Sequence, residues 1–243
     1  MDGMLSQDEI NALLNDMSSG SSEPVTDDTP VSDASPSGGG AAADQSLLTD
    51  IEKDAIGEVA NISMGSSATT LYSLVNRKVN ITTPVVSLAT WGEIVEDYEK
   101  PCVFIKIKYT VGLEGTNILI LREEDVKIIT DLMMGGDGTS TDGELSELHL
   151  SAICEAMNQM MGSSATSLSS MLGRMIDISP PEADLVDMLE NFNAGEDISS
   201  FLGGTFVRIT FRMQIGDLVD SKIMQLYPID FAKSLYDFFM DSQ

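Results

Sequence analysis

A set of polar residues recurs in this chain after 97 positions (54 to 151), and that recurrence restricts the fold more than any other feature. The first copy carries Asp54, Glu58 and Asn61, then Met64-Gly65-Ser66-Ser67-Ala68-Thr69. The second carries Ser151, Glu155 and Asn158, then Met161-Gly162-Ser163-Ser164-Ala165-Thr166. The interval persists through Leu71/Leu168, Arg77/Arg174, Ile81/Ile178 and Pro84/Pro181. A chain that repeats a whole segment in register is expected to fold as two similar units related by a pseudo-two-fold axis.

Both copies have helical periodicity. At about 100° per residue, Asp54, Glu58 and Asn61 share one narrow arc, and Ser151, Glu155 and Asn158 share the same phase. Opposite them lie Ile56, Val59, Ala60, Met64 and Leu71, matched by Ile153, Met157, Met161 and Leu168. An apolar stripe of that width faces a core, which leaves the polar arc to solvent or a partner. Gly65 and Gly162 fall on the polar arc, one turn past each Asn. Glycine in a helix interior costs about 1 kcal/mol relative to alanine. Its presence predicts close approach there, either of another helix of the same fold or of a macromolecular partner.

Charge and composition narrow the chemistry. The 39 acidic residues against 13 basic ones give a formal charge of −26, which argues against nucleic acid and anionic membrane as partners. Cys102 and Cys154 are unclustered, as free thiols of a reducing cytoplasm are. His149 is the only histidine, so no histidine-based triad or metal site is expected. No apolar run approaches the roughly 20 residues of a membrane span. The acidic N-terminus also lacks the apolar core of a secretion signal.

Along the chain, Ser6-Gln7-Asp8-Glu9 reads as a capping box, with Leu5 and Ile10 placed as a hydrophobic staple. Ile10, Leu13, Leu14 and Met17 continue at helical spacing. A helix this short is marginal alone in water, so residues 1–17 are expected to dock in a partner's groove. Residues 18–45 contain Gly38-Gly39-Gly40, three prolines and no Lys or Arg, the composition of an acidic, disordered linker. Thr49-Asp50-Ile51-Glu52 is a second capping box and opens a helix to about Asn76. Extended segments follow at 78–83, Val85–Leu88, Val103–Tyr109 and Asn117–Leu121. An amphipathic helix spans Glu123–Met134 and ends at Gly135-Gly136-Asp137-Gly138. The second half repeats this order: helix Ser146–Leu172, extended Met175–Ser179, strands Thr205–Ile215 and Lys222–Tyr227, helix Ile229–Met240. The acidic stretch from Glu182 to Ser200 reads as a solvated loop. Late in the chain the interval grows to 105, as in Ile118/Ile223, Leu121/Leu226 and Asp125/Asp230. The expected fold is α/β (α+β), a duplicated helix–strands–helix unit with helices packed on one sheet. Its folded domain is expected over 46–243, with repeats at about 46–138 and 143–243.

The spacing Asp/Ser, three residues, Glu, two residues, Asn, then 22 residues and Pro resembles the signature of the CheC-type phosphatases of bacterial chemotaxis. Asp54, Glu58, Asn61 and Pro84 fit it, as do Ser151, Glu155, Asn158 and Pro181. The segment Met4-Leu5-Ser6-Gln7-Asp8-Glu9-Ile10-Asn11-Ala12-Leu13-Leu14 is similar to the peptide with which flagellar switch proteins capture phosphorylated CheY. The resemblance implies hydrolysis of the aspartyl phosphate of CheY at the motor switch. It implies catalysis by Glu58, Asn61, Glu155 and Asn158, supported by Asp54 and Ser151. Leu5, Ser6, Gln7, Asp8, Glu9, Ile10, Leu13 and Leu14 would bind the partner. It also implies no cofactor bound by this chain, Mg²⁺ carried by the CheY substrate, and switch partners of the FliM, FliG and FliN type at the cytoplasmic face of the flagellar basal body. Motor-switch members of the family continue into a FliN-like domain, which these 243 residues do not contain. The rival expectation is a non-catalytic, FliM-like scaffold that binds phosphorylated CheY; the doubled Glu/Asn pair discriminates against it.

Overall fold

Helix α1 (Asp50–Val75) starts where the capping box places it: the Thr49 amide donates to Glu52 Oε2 at 2.7 Å and the Glu52 amide donates to Thr49 Oγ1 at 3.3 Å. It ends at Asn76, whose left-handed backbone (φ 49°) corresponds to that of Gly173 (φ 61°), at the end of α4 (Glu147–Leu172). Both residue types tolerate that conformation. The amide of Ser146, the N-cap of α4, donates to His149 Nδ1 at 3.0 Å, so the single histidine serves as a helix cap. The computed structural model describes residues 42–98, 101–187, 200 and 202–243. The expected docking peptide, residues 1–17, and all but the end of the expected linker lie outside the described residues.

Among the described residues, eight strands form one antiparallel sheet: β1 (Val79–Ile81), β2 (Val85–Ala89), β3 (Cys102–Val111), β4 (Gly115–Arg122), β5 (Asp177–Ile178), β6 (Glu182–Val186), β7 (Phe206–Ile215) and β8 (Val219–Tyr227). Their order is β1-β7-β8-β4-β3-β5, with β2 continuing the edge along β7 and β6 along β3. The edge strands of the first half therefore pair with the second half, and those of the second half pair with the first. Each half completes the other's sheet. Helices α1, α4, α3 (Glu123–Met133) and α5 (Ile229–Asp241) cover one face over a core that includes Ile56, Met64, Leu71, Ile105, Ile107, Met157, Met161, Ile209 and Phe211. A smaller core on the reverse face collects Phe104, Ile118, Ile120, Phe206 and Leu226 under helix α2 (Trp91–Asp97). This seven-residue helix was not expected from the sequence. It is too short for a periodic signal, although Thr90 and Glu93 cap it, the Thr90 amide donating to Glu93 Oε2 at 2.7 Å.

The structure corrects the register of the second repeat. Helices α3 and α5 open at Glu123 and Ile229, an interval of 106, and on that interval the buried Val126 and Ile129 fall on the buried Ala232 and Leu235. The interval of 105 would pair Ile118 with Ile223, yet Ile118 belongs to the reverse-face core and Ile223 to the helix-covered one. A slip of one residue moves a strand's side chains to the other face, so the buried pattern, not residue identity, decides the alignment. On the interval of 106, the central pair Leu119–Gln225 maps onto itself, which sets the pseudo-two-fold axis there. The first five residues of the acidic stretch, Glu182–Val186, are strand rather than loop, and Glu182 Oε2 lies 2.6 Å from Lys106 Nζ across the ladder. Packing also begins ahead of residue 46: Ala43 is buried, and the Asp44 amide donates to Thr205 Oγ1 at 3.0 Å.

Where α1 and α4 meet, the contacts are small and polar. Ser67, fully buried, donates to the Met160 carbonyl at 2.8 Å, and the Ser66 and Ser167 hydroxyls are hydrogen-bonded to each other. The serines, rather than the glycines, allow this approach. A Cβ added at Gly65 or Gly162 would meet nothing within 4 Å. Close packing inside the fold is therefore not what those glycines serve, and their arc stays open.

Candidate functional site

Two equivalent clefts hold the recurring residues. Between β1 and β2 the ladder is interrupted at Pro84, which has no amide to donate. The Thr82 amide still donates to the Arg212 carbonyl at 3.0 Å, after which the chain lifts into a wall facing α1. The second edge does the same at Pro180 and Pro181: the Ser179 amide donates to the Lys108 carbonyl at 2.8 Å. The first depression, about 440 Å³, is lined by Lys53, Asp54, Gly57, Glu58, Asn61, Thr83, Pro84, Val85 and Val86. The second, about 470 Å³, is lined by Glu147, Leu150, Ser151, Cys154, Glu155, Asn158 and the wall Pro180, Pro181, Ala183 and Asp184. Every repeated position of the pattern, the prolines included, thus converges on one cleft per copy.

Within each cleft the Glu and Asn project from successive turns, about 4.5 Å apart along the axis. Asp54, Glu58, Asn61, Ser151, Glu155 and Asn158 are all exposed. Among the described residues, neither Asn makes a side-chain hydrogen bond, so both carboxamides are free to hold water. No cleft offers a nucleophile paired with a histidine, since His149 caps α4. The clefts can present carboxylates and a neutral amide to a ligand.

The copies differ in ways the repeat did not reveal. Lys53 Nζ stands 3.9 Å from Asp50 Oδ1 at the first cleft and offsets its carboxylates; its counterpart is Leu150. Cys154 takes the position of Gly57, and burial pushes its thiol up. A search for repeated residues passes over both, because neither is repeated. The partner-binding residues expected at Leu5 to Leu14 lie outside the described residues.

The chain is 40% identical to the crystal structure of FliY from Thermotoga maritima, with a TM-score of 0.71, 81% of this chain and 99% of that one being covered. It belongs to the FliY family of CheC-like proteins. The CheC-like family profile matches residues 51–88 and 148–183, the two segments that build the clefts. The flagellar motor switch phosphatase FliY of Bacillus subtilis (strain 168) is 45% identical over 239 residues, 98% of this chain. The chain spans 58% of that protein's length. The CheY-P phosphatase CheC of the same organism is 27% identical over 139 residues, 55% of this chain and 66% of that protein. Among the described residues, no helix is long and apolar enough to cross a membrane.

Proposed function

We propose that this chain hydrolyses the aspartyl phosphate of a CheY-type response regulator at the flagellar motor switch, using both clefts. The observation that carries this reading is the convergence of Glu58, Asn61 and Pro84, and again of Glu155, Asn158 and Pro181, on matching clefts. An acyl phosphate already has a good leaving group, so positioning and electrostatics supply most of the catalysis. A neutral carboxamide holds water in line without adding negative charge near the phosphoryl group, and Asn61 and Asn158 take that role. Water attacks phosphorus, the bond to the acyl oxygen breaks, and the receiver's carboxylate is restored. The water's protons pass to phosphate and solvent. Mg²⁺ belongs to the substrate and arrives with it. Glu58 and Glu155 reach a lysine on the receiver and fix its orientation, with Asp54 and Ser151 in support. Residues 1–17 capture the phosphorylated receiver, and the chain works beside switch proteins of the FliM, FliG and FliN type at the cytoplasmic face of the basal body.

The test is phosphate release from phosphorylated CheY. Asn61→Ala and Asn158→Ala should each remove part of the activity, about 10²-fold at the affected cleft, and the double variant nearly all of it. A folded double variant with the parent rate would overturn the mechanism and leave the FliM-like scaffold as the better reading.

A further inference from the structure

The two clefts carry the same polar pair but have different borders. On α1, Ile51 and Ile62 lie about 20° and 40° around the helix from Glu58, on the side away from Pro84. Across the cleft stands Val85. All three are open to solvent, with exposures of 70% for Ile51, 43% for Ile62 and 67% for Val85. Their counterparts in the second copy are Leu148, Gln159 and Glu182, of which only Leu148, 62% exposed, is apolar. Scattered exposed hydrophobic residues need no explanation. Three that enclose a polar pair from both sides form a border. The formal charge of −26 keeps such a border soluble until something covers it.

We propose that Ile51, Ile62 and Val85 form an apolar collar with which the first cleft grips the receiver domain, and that the second cleft binds the same substrate more weakly. The proposal rests on the phosphatase reading and assigns its two sites different affinities. A protein that brings a phosphoryl group to Asn61 and engages Glu58 lies over Ile62, one turn past Glu58 and about 40° around the helix from it. It must also cover Ile51, about 15 Å along the axis, because a specific protein footprint is about 800 Å² per partner. A free phosphorylated metabolite seated in the cleft would meet Val85 but neither Ile51 nor Ile62, which stand outside its lining. Both segments that build the clefts keep an aliphatic residue at the same point of the first turn, Ile51 and Leu148, as docking of one substrate on both helices requires. The open arc at Gly65 extends the same surface by one turn.

The experiment is a calorimetric titration of the full chain, carrying Leu13→Asp in parent and variants alike so that residues 1–17 add no site of their own, with a CheY receiver held in its phosphorylated form by beryllofluoride, and with phosphate release measured on the same preparations. The parent should show two classes of site, the tighter one lost in the Ile62→Gln/Val85→Glu double variant, which carries the second cleft's residues at the first. The expected loss at that site is about tenfold or more, the size of an apolar anchor at an interface. Met240→Gln, a substitution of an exposed apolar residue on α5, should change neither class. Two equal classes in the parent, or a double variant that binds like the parent, would overturn the proposal. So would a parent that binds no receiver, or one that self-associates through the collar. Unequal binding without phosphate release would retain the collar and remove the phosphatase reading, so the two failures are distinct.

Discussion

Gln159 Nε2 donates to Glu155 Oε1 at 2.6 Å, whereas the residue one turn beyond Glu58 is Ile62. One glutamate is therefore held in place before substrate arrives and the other is not. Ordering a side chain on binding costs about 0.5–1.5 kcal/mol, so the restraint lowers that cost at the second cleft. In an Asn61→Ala background, Gln159→Ala should raise the half-saturating receiver concentration about fivefold and change turnover at saturation less. The melting temperature should not move, because Gln159 is exposed. Equal losses in turnover and half-saturation would show that Gln159 acts on the chemical step instead.

Gly65 and Gly162 have open space where a Cβ would stand. Replacing either with alanine should stabilise the fold by up to about 1 kcal/mol, the helix-propensity difference. Gly65→Leu should fold equally well yet weaken receiver binding, because the bulk would stand on the arc the partner covers. Chemical denaturation and the same titration read the two effects separately.

Ser67 is fully buried and donates to the Met160 carbonyl at 2.8 Å. Ser67→Ala should cost about 1 kcal/mol for the lost hydrogen bond. Ser67→Leu should cost about 1–3 kcal/mol or more, because the crossing of α1 and α4 has no room for added methylenes. Unfolding free energies from urea titration would check the order. A leucine variant as stable as the parent would contradict the packing described.

Cys154 reports on the second cleft. Burial raises its thiol above the ordinary value, so the thiolate is scarce near neutral pH and alkylation there should be slower than for a free cysteine. A raised value also means that the rate keeps climbing at alkaline pH after a free thiol has levelled. Cys102, buried and pushed up to about 12, should stay unlabelled, so the signal belongs to Cys154 alone. Saturating receiver should slow the labelling further; an unchanged rate would mean that the second cleft is not covered.

Repetition and periodicity are sufficient to predict the two long helices, their polar arcs, and which Glu and Asn recur at equivalent exposed positions. Those properties reside in local backbone geometry: a helix presents residues three and four apart on one face wherever it lies. The cap at Thr49 and the end of the helix near Asn76 are legible for the same reason. Other features depend on what lies opposite in space. Glu182 to Val186 carries the charge of a loop, and only pairing with β3 makes it a strand. The exchange of edge strands between the halves leaves no trace in either half alone. The alignment of Ile118 with Ile223 fails because identical residues can face opposite sides of a pleat, and burial, not identity, sets the register. Pro84 and Pro181 stand in the pattern as spacing, yet become cleft walls only because the broken ladder lifts them toward helices folded across the sheet. The polar pairs are thus local in origin, while the clefts that hold them, and the unequal borders of those clefts, exist only once distant segments pack.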